Sequence, residues 1–98
     1  MKLRILPSAV NDLHGGREFY ARQSDSLGDY FFDSLFADID SLELYAGVHA
    51  KVFGYHRLLA KRFPFAVYYQ MDEDVCIVWR VLDCRQNPER IKGSLTTR

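Results

Sequence analysis

The side chains best suited to chemistry in this sequence are a group of cations in its C-terminal half. They are His56, Arg57, Lys61, Arg62, Arg80 and Arg85. Such a set can stabilise the charge of a cleaved phosphodiester, with His56 as acid or base, because histidine titrates near neutral pH. The same set can instead bind an acidic protein segment, or serve only to solvate the surface. The residue types alone leave these three interpretations open.

Other catalytic and metal-binding signatures are absent from the sequence. It contains no Gly-rich phosphate loop, no nucleophile elbow and no C-x-x-C pair, and its three histidines are scattered. Asp72-Glu73-Asp74 is better explained as a solvated turn than as a pair of catalytic carboxylates. We therefore predict no metal ion and no cofactor. Catalysis is not favoured, and any enzyme activity would be that of a metal-independent endoribonuclease.

Length and charge indicate one domain with an uneven charge distribution. The 98 residues form a single domain, 1–98, and their apolar fraction of 48% is typical of a globular protein. Residues 1–49 carry four basic and eight acidic side chains, whereas residues 50–98 carry nine basic and five acidic ones. This asymmetry suggests an anionic partner for the C-terminal half.

The cysteines and the N-terminus indicate a cytoplasmic protein. If residues 75–84 form one strand, Cys76 and Cys84 are about 26 Å apart, too far for a disulfide. Reduced thiols suit the cytosol. The sequence has neither a signal peptide nor an apolar run of membrane-spanning length.

Two helices are predicted in the N-terminal half, after a first strand at residues 2–6. Pro7 stops that strand, and Ser8 is the expected N-cap of the first helix. Ala9, Leu13, Gly16 and Tyr20 recur at helical spacing. The second helix is expected to open at Leu27-Gly28-Asp29 and to end near Gly47; its apolar stripe is Phe31, Leu35, Ile39 and Leu42.

Three strands are predicted next, followed by a short helix. The strands span residues 52–62, 65–71 and 75–83, and the short helix has Asn87 as its cap, Pro88 at its first position and Gly93 at its end. The order β-α-α-β-β-β predicts an α+β fold in which a two-helix hairpin packs on a small antiparallel sheet. The other face of this sheet is expected to be shallow and lined by polar residues.

Strand alternation predicts which side chains share a face of the sheet. Arg57 and Lys61 should point to one side, and His56 and Arg62 to the other. On the last strand, Val75, Ile77, Trp79 and Val81 should share one face, and Cys76, Val78 and Leu82 the other. A strand that is apolar on both faces lies centrally, so we expect Trp79 to be substantially buried.

Three segments resemble the RelE/ParE superfamily of toxins from type II toxin–antitoxin operons, often labelled plasmid stabilisation proteins. They are K-R-F-P-F-A-V-Y-Y at 61–69, V-W-R-V-L-D-C-R at 78–85 and N-P at 87–88. Ala9, Asp12-Leu13, Phe19-Tyr20, Leu27-Gly28 and Phe31-Phe32 extend the likeness to both helices. The resemblance implies the same fold and a growth-inhibiting toxin.

Single positions separate the branches of that superfamily. Ribosome-dependent members that cleave mRNA place an arginine where this chain has Ala66 and usually a tyrosine where it has Ile91. Their arginine at the end of the fourth strand is matched by Arg85, and their lysine pair falls only loosely near Arg57 and Lys61. The segment F-P-F-A-V-Y-Y is more similar to the ParE branch, which inhibits DNA gyrase.

The resemblance implies a function and a set of partners. The preferred function is inhibition of DNA gyrase; the alternatives are cleavage of mRNA on the ribosome and a non-toxic interaction module of the same fold. A cognate antitoxin is expected to wrap the toxin with a helix and an added strand or arm. No membrane binding is expected, nor any sequence-specific DNA binding by this chain alone. The candidates for contact with the target or antitoxin are Arg57, Lys61, Arg62, Arg80, Arg85 and Arg90, and weak catalytic candidates are Arg57, Lys61, Arg85 and His56.

Overall fold

The computed structural model describes residues 1–96 as a five-stranded sheet with helices on both faces. In chain order the elements are β1 (Lys2–Ile5), α1 (Pro7–Ala21), α2 (Asp25–Asp40), α3 (Leu42–Tyr45), β2 (Lys51–Val52), β3 (Tyr55–Leu59), β4 (Phe65–Asp72), β5 (Val75–Asp83) and α4 (Pro88–Thr96). The predicted α+β fold, with its N-terminal strand, helical hairpin and C-terminal helix, is confirmed. The short α3 and β2 were not predicted.

The sheet is mixed rather than purely antiparallel. Its strand order is β1-β5-β4-β3-β2, and all neighbours are antiparallel except β1 and β5. Lys2 pairs with Val75 and Ile5 with Val78 in that parallel pair. Parallel neighbours need a long crossover connection, which here is supplied by everything between β1 and β5.

The first helix begins two positions earlier than predicted. Pro7 occupies its first turn, where a missing backbone N–H costs nothing, and Leu6 is the N-cap. Ser8 is therefore not the cap. Its hydroxyl instead donates a hydrogen bond of 2.8 Å to the carbonyl of Trp79. This bond joins the start of α1 to β5.

The second helix differs from its predicted bounds at both ends. It begins at Asp25, before the predicted opening at residues 27–29, and ends at Asp40. The Ser41 hydroxyl donates to the carbonyl of Asp38 at 2.6 Å, and the chain then makes the separate turn α3. Gly47 has a φ of +96°, a conformation that favours glycine. It ends the helical region as predicted.

Two adjacent glycines in α1 have different surroundings. A Cβ on Gly16 would overlap the ring of Phe31 on α2, so this glycine lets the two helices approach closely. A Cβ on Gly15 would meet no atom within 4 Å. A glycine inside a helix costs about 1 kcal/mol relative to alanine, and at Gly15 no contact within residues 1–96 offsets that cost.

The main core lies between the α1–α2 hairpin and the sheet. Its centre is aromatic: the Phe31 ring lies 5.2 Å from Tyr20, 5.1 Å from Phe63 and 4.8 Å from Phe65, measured between ring centroids. Phe31 is fully buried. Aliphatic side chains from both layers complete this core: Leu13, Leu35, Ile39, Leu42, Val67, Val78 and Val81.

A β-bulge in β5 reverses the predicted alternation of its side chains. Tyr68 pairs with Arg80 but Tyr69 pairs with Val78, which leaves Trp79 as the extra residue. Val78 and Val81 consequently both face the main core, although we predicted them on opposite faces. Trp79 lies on the other face, against the α4 side of the sheet, and most of its surface is buried, as predicted. It does not share a face with Val81, as strand alternation had predicted.

Helix α4 covers part of the opposite face of the sheet. Ile91 and Leu95 of α4 pack against Ala66, Tyr68 and Leu82, together with Tyr55 and Trp79. The Tyr55 hydroxyl donates to the carbonyl of Leu95 at 3.0 Å. The helix also continues past the predicted stop at Gly93 to Thr96. The expectation that this face would be open and polar is thus wrong where α4 covers it.

Candidate functional site

The predicted cations are distributed over several parts of the molecule. Arg80 is the most enclosed: its side chain is 24% exposed and that of its partner, Asp12, 14%. Arg80 Nε and Nη2 donate to the two Asp12 carboxylate oxygens at 2.7 and 2.9 Å, and Nη1 donates to the carbonyl of Ser94 at 3.0 Å. This paired geometry is the strong form of an ion pair. Arg80 therefore joins β5 to α1 and α4.

The Asp12 carboxylate is a structural hydrogen-bond acceptor, a role that was not predicted. Besides Arg80, it accepts the backbone N–H of Val81 at 2.9 Å. The hydrogen bonds that Arg80 donates to Asp12 raise the pKa of Arg80 above its ordinary value. Arg80 therefore stays charged and tied to Asp12, and its guanidinium is not a free ligand for a partner.

Arg85 lies at the end of β5 and is exposed. Its guanidinium donates to both oxygens of Asp83, at 3.0 and 2.7 Å. Hydrogen bonding from Arg85 lowers the pKa of Asp83, and the same contact raises the pKa of Arg85. A partner can still reach this pair from solvent, since the Arg85 side chain is exposed.

Arg57 faces the α4 side of the sheet. It pairs in register with Tyr68 across β3 and β4. Burial raises the pKa of Tyr68, and the contact with Arg57 opposes that shift. Burial also raises the pKa of the nearby Cys84 thiol, again opposed by Arg57. Arg57 thus belongs to a small cluster of Tyr68 and Cys84.

Lys61 and Arg62 do not lie on a strand, because β3 ends at Leu59. The predicted sharing of a strand face by Arg57 and Lys61, and by His56 and Arg62, is therefore wrong. Both residues occupy the exposed loop between β3 and β4. The Lys61 backbone N–H donates to Asp38 Oδ2 at 3.1 Å, which fixes this loop to α2.

His56 belongs to a compact group on the hairpin side of the sheet. Its Nδ1 lies 2.6 Å from the carbonyl oxygen of His49, and its ring stacks on Tyr69 at a centroid distance of 5.0 Å. The Tyr69 hydroxyl accepts the N–H of Gly47 at 2.9 Å and lies 2.5 Å from His49 Nδ1. The two histidines and the tyrosine fasten the segment that connects α3 to β2.

The stability of the fold should fall below neutral pH partly because of His49. Burial, and to a lesser degree the charge of His56, lowers the pKa of His49 below 6.5. The unfolded chain therefore binds a proton there more readily than the folded chain does. This stabilisation is complete above the unfolded pKa and is lost as pH falls toward the lower folded pKa. Melting temperatures between pH 7.5 and 5 should drop less steeply for His49→Gln; an unchanged slope would contradict this assignment.

The predicted catalytic candidates are not brought together on one surface. His56 and Arg57 are adjacent on β3, and their cross-strand partners Tyr69 and Tyr68 belong to the cores on opposite faces of the sheet. Arg85 is held by Asp83. An acid or base at His56 would therefore be separated from Arg57 by the sheet itself.

A cleft of about 440 Å³ lies between α1 and α4, over the C-terminal end of β5. Its α1 wall includes Gly15, Gly16 and Phe19, and its other wall includes Gln86 and Arg90. The Asp12–Arg80 ion pair lies at its floor, beside Val81, Leu82 and Asp83. We call this feature the α1–α4 cleft. It brings together two of the predicted contact residues, Arg80 and Arg90, with the exposed aromatic side chain of Phe19.

The outer edge of β3 is only partly covered. Strand β2 pairs with Tyr55 and His56, and the N–H of Arg57 donates to the carbonyl of Ala50. The N–H of Ala60 points the other way, to Phe65. Alternate residues of such a strand direct their backbone groups outward, so Leu59, which is 56% exposed, presents its backbone at an edge that β2 does not reach.

Residues 1–96 contain neither a metal-ligating cluster nor a membrane-spanning helix. No group of three or more His, Cys, Asp or Glu side chains in this part is placed to hold a metal ion. Among the described helices, none has both the length and the apolar character needed to cross a membrane. Cys76 is buried, and burial raises the pKa of its thiol to about 11.

Comparison with known proteins relates the fold to one toxin–antitoxin system. A chain of the chromosomal ParDE TA system from P. aeruginosa superposes with a TM-score of 0.75 and 17% sequence identity, over 83% of this chain and 92% of that chain. No model of a known protein family matches the sequence, and no match is found among curated proteins. The predicted RelE/ParE-like fold is therefore confirmed by structure alone.

Proposed function

We propose that this chain is the toxin of a type II toxin–antitoxin pair, neutralised by a cognate antitoxin and acting in the cytoplasm. The observation that carries the proposal is its likeness in fold to a chain of the ParDE system, at a TM-score of 0.75. The motif at residues 61–69 that resembles the RelE/ParE superfamily supports the same assignment from sequence.

The antitoxin is proposed to add a strand at the outer edge of β3. An uncovered edge is a template for strand addition, because its backbone groups pair with an extended chain. Leu59 offers an exposed apolar side chain at this edge. The C-terminal half of the chain has nine basic and five acidic residues, which favours an antitoxin arm with acidic side chains.

The target is proposed to be DNA gyrase, inhibited by protein contact rather than by chemistry on a substrate. The sequence resembles the ParE branch at Phe65–Tyr69, and Ala66 occupies the position of an arginine used by mRNA-cleaving relatives. Ala66 is fully buried under α4, so an arginine there would have to displace part of that packing.

The second candidate function is cleavage of mRNA on the ribosome, with Arg57, Lys61, Arg85 and His56 as its residues. Arg85 favours it, because its position matches an arginine of those enzymes. The sheet separates His56 from Arg57, and this argues against mRNA cleavage. Proton transfer needs the acid or base within hydrogen-bond reach of the reacting group.

Pulse labelling after tight induction in bacteria tests the target. If gyrase is inhibited, thymidine incorporation should fall before methionine incorporation, and purified gyrase should lose supercoiling activity with stoichiometric protein. Early loss of methionine incorporation, abolished by Arg85→Ala, would instead support mRNA cleavage. Unaffected growth with a soluble, folded protein would support a non-toxic interaction module.

A further inference from the structure

Gly15 marks a bare patch of helix surface inside the α1–α4 cleft. It lies in the interior of α1, where glycine lowers helix stability. Its neighbour Gly16 is explained by the ring of Phe31, but a Cβ at Gly15 would meet nothing within 4 Å. The missing side chain at Gly15 therefore leaves room in the cleft without serving any contact within residues 1–96.

The rest of the cleft supplies groups that bind a peptide. Phe19 is 47% exposed at one wall, which provides an aromatic surface. The Arg90 guanidinium on the opposite wall has no acidic partner within residues 1–96, whereas Arg80 and Arg85 are both paired. Aromatic and arginine side chains are the types most enriched in protein–protein interfaces. A carboxylate is the complement of Arg90.

We propose that the α1–α4 cleft binds a short acidic segment of the protein that the toxin inhibits. The inference rests on the proposed function, since it names the surface through which the toxin contacts its target. The cleft volume of about 440 Å³ is comparable to about one turn of helix. The segment places a small or backbone group over Gly15 and a carboxylate at Arg90.

The polar character of the cleft favours the target over the antitoxin as its occupant. Most of its side chains are polar or charged, among them Asn11, Asp12, Asp83, Gln86 and Ser94. Polar contacts of this kind suit a transient partner, whereas long-lived complexes bury more apolar surface. Apart from Phe19, the described residues of the cleft offer no strongly exposed apolar side chain, whereas Leu44, Tyr45, Val48 and Leu59 are exposed outside it.

Gly15→Ala tests this proposal because it should change stability and function in opposite directions. The added Cβ meets no atom of the chain and favours the helix, so the melting temperature should rise by roughly 4 °C. The same methyl group occupies the cleft, so the amount of protein needed to inhibit growth, or gyrase supercoiling, should rise about tenfold or more.

Gly93→Ala is the matched control. Gly93 also lies within a helix, α4, and a Cβ there would likewise meet nothing within 4 Å, but it does not line the cleft. This variant should be stabilised to a similar extent and inhibit growth as the wild type does. Arg90→Ala tests the charged wall of the cleft without changing a glycine. Lys92→Ala, at an exposed residue of the same helix, is its control. Only Arg90→Ala should reduce the potency of growth inhibition.

The outcomes separate the inference from the function on which it rests. If Gly15→Ala and Arg90→Ala inhibit growth as well as the wild type, the cleft proposal is overturned and the toxin assignment stands. Simultaneous loss of toxicity and of co-purification with the cognate antitoxin would assign the cleft to the antitoxin and overturn the proposal. A wild-type protein that does not inhibit growth overturns the toxin function itself and the target segment with it.

Discussion

Asp12→Ala, a change within α1, should lower the free energy of unfolding by about 3 kcal/mol. The change leaves the Arg80 guanidinium largely enclosed without its counter-charge, and it leaves the Val81 N–H without its acceptor. Removing one member of an enclosed ion pair costs about 3–5 kcal/mol when burial is complete. The lower end applies here because both side chains keep some contact with water. Urea denaturation of the two proteins measures the difference.

A more exposed ion pair, between α1 and α2, provides the control. Arg17 of α1 and Asp29 of α2 are also bonded, but their side chains are 43% and 59% exposed. An exposed pair contributes about 0–1 kcal/mol, so Asp29→Ala should have little effect. The double variant Asp12→Ala/Arg80→Ala should cost less than the sum of its single changes, because no unpaired charge remains. Equal losses for Asp12→Ala and Asp29→Ala would refute the role given to Asp12.

Phe31→Ala should bring the protein close to unfolding. Phe31 is fully buried and touches three other aromatic rings at the centre of the main core. Truncating such a phenylalanine costs about 3–5 kcal/mol, whereas a domain of this size has a total stability of about 5–10 kcal/mol. The void would also face Gly16, which has no side chain to fill it. Thermal melting followed by far-UV circular dichroism measures the effect.

Tyr30→Ala is the neighbouring control for Phe31→Ala. Tyr30 precedes Phe31 on α2 and contacts Phe63, but it is exposed. Its loss should cost about 1 kcal/mol or less, the usual range for surface changes. If Phe31→Ala melts cooperatively within a few degrees of the wild type, the assignment of Phe31 to the centre of the main core is wrong.

The helices and their packing faces were predictable because apolar spacing reports directly on burial. Phe31, Leu35, Ile39 and Leu42 were expected on one stripe, and all four are fully buried. The bulge was not predictable from the same reasoning. Strand alternation assumes an unbroken ladder, and one inserted residue at Trp79 moves every later side chain to the other face. Helix α4 was predicted, but the pairing of its Ile91 and Leu95 with the sheet depends on tertiary geometry.

The structural roles of two acidic side chains, Asp12 and Asp38, were not predicted. Asp12 and Asp38 both lie within apolar stripes, three positions after Ala9 and Leu35 respectively. An acid at such a position must have a partner when it is buried, and this signal was present in the sequence. The partners themselves, Arg80 and the Lys61 backbone, are distant along the chain. Only the fold could identify them.

The parallel pairing of β1 with β5 also determines when the molecule can become complete during synthesis. The pairing of Lys2 with Val75 cannot form until β5 has been synthesised. The helical hairpin between the two strands needs only local contacts. Contacts this distant along a chain slow folding, because a large loop must close first. At about 5–20 residues per second, several seconds pass between translation of the two strands. A nascent chain therefore stays incomplete for most of its time on the ribosome, an interval in which β1 lacks its sheet partner.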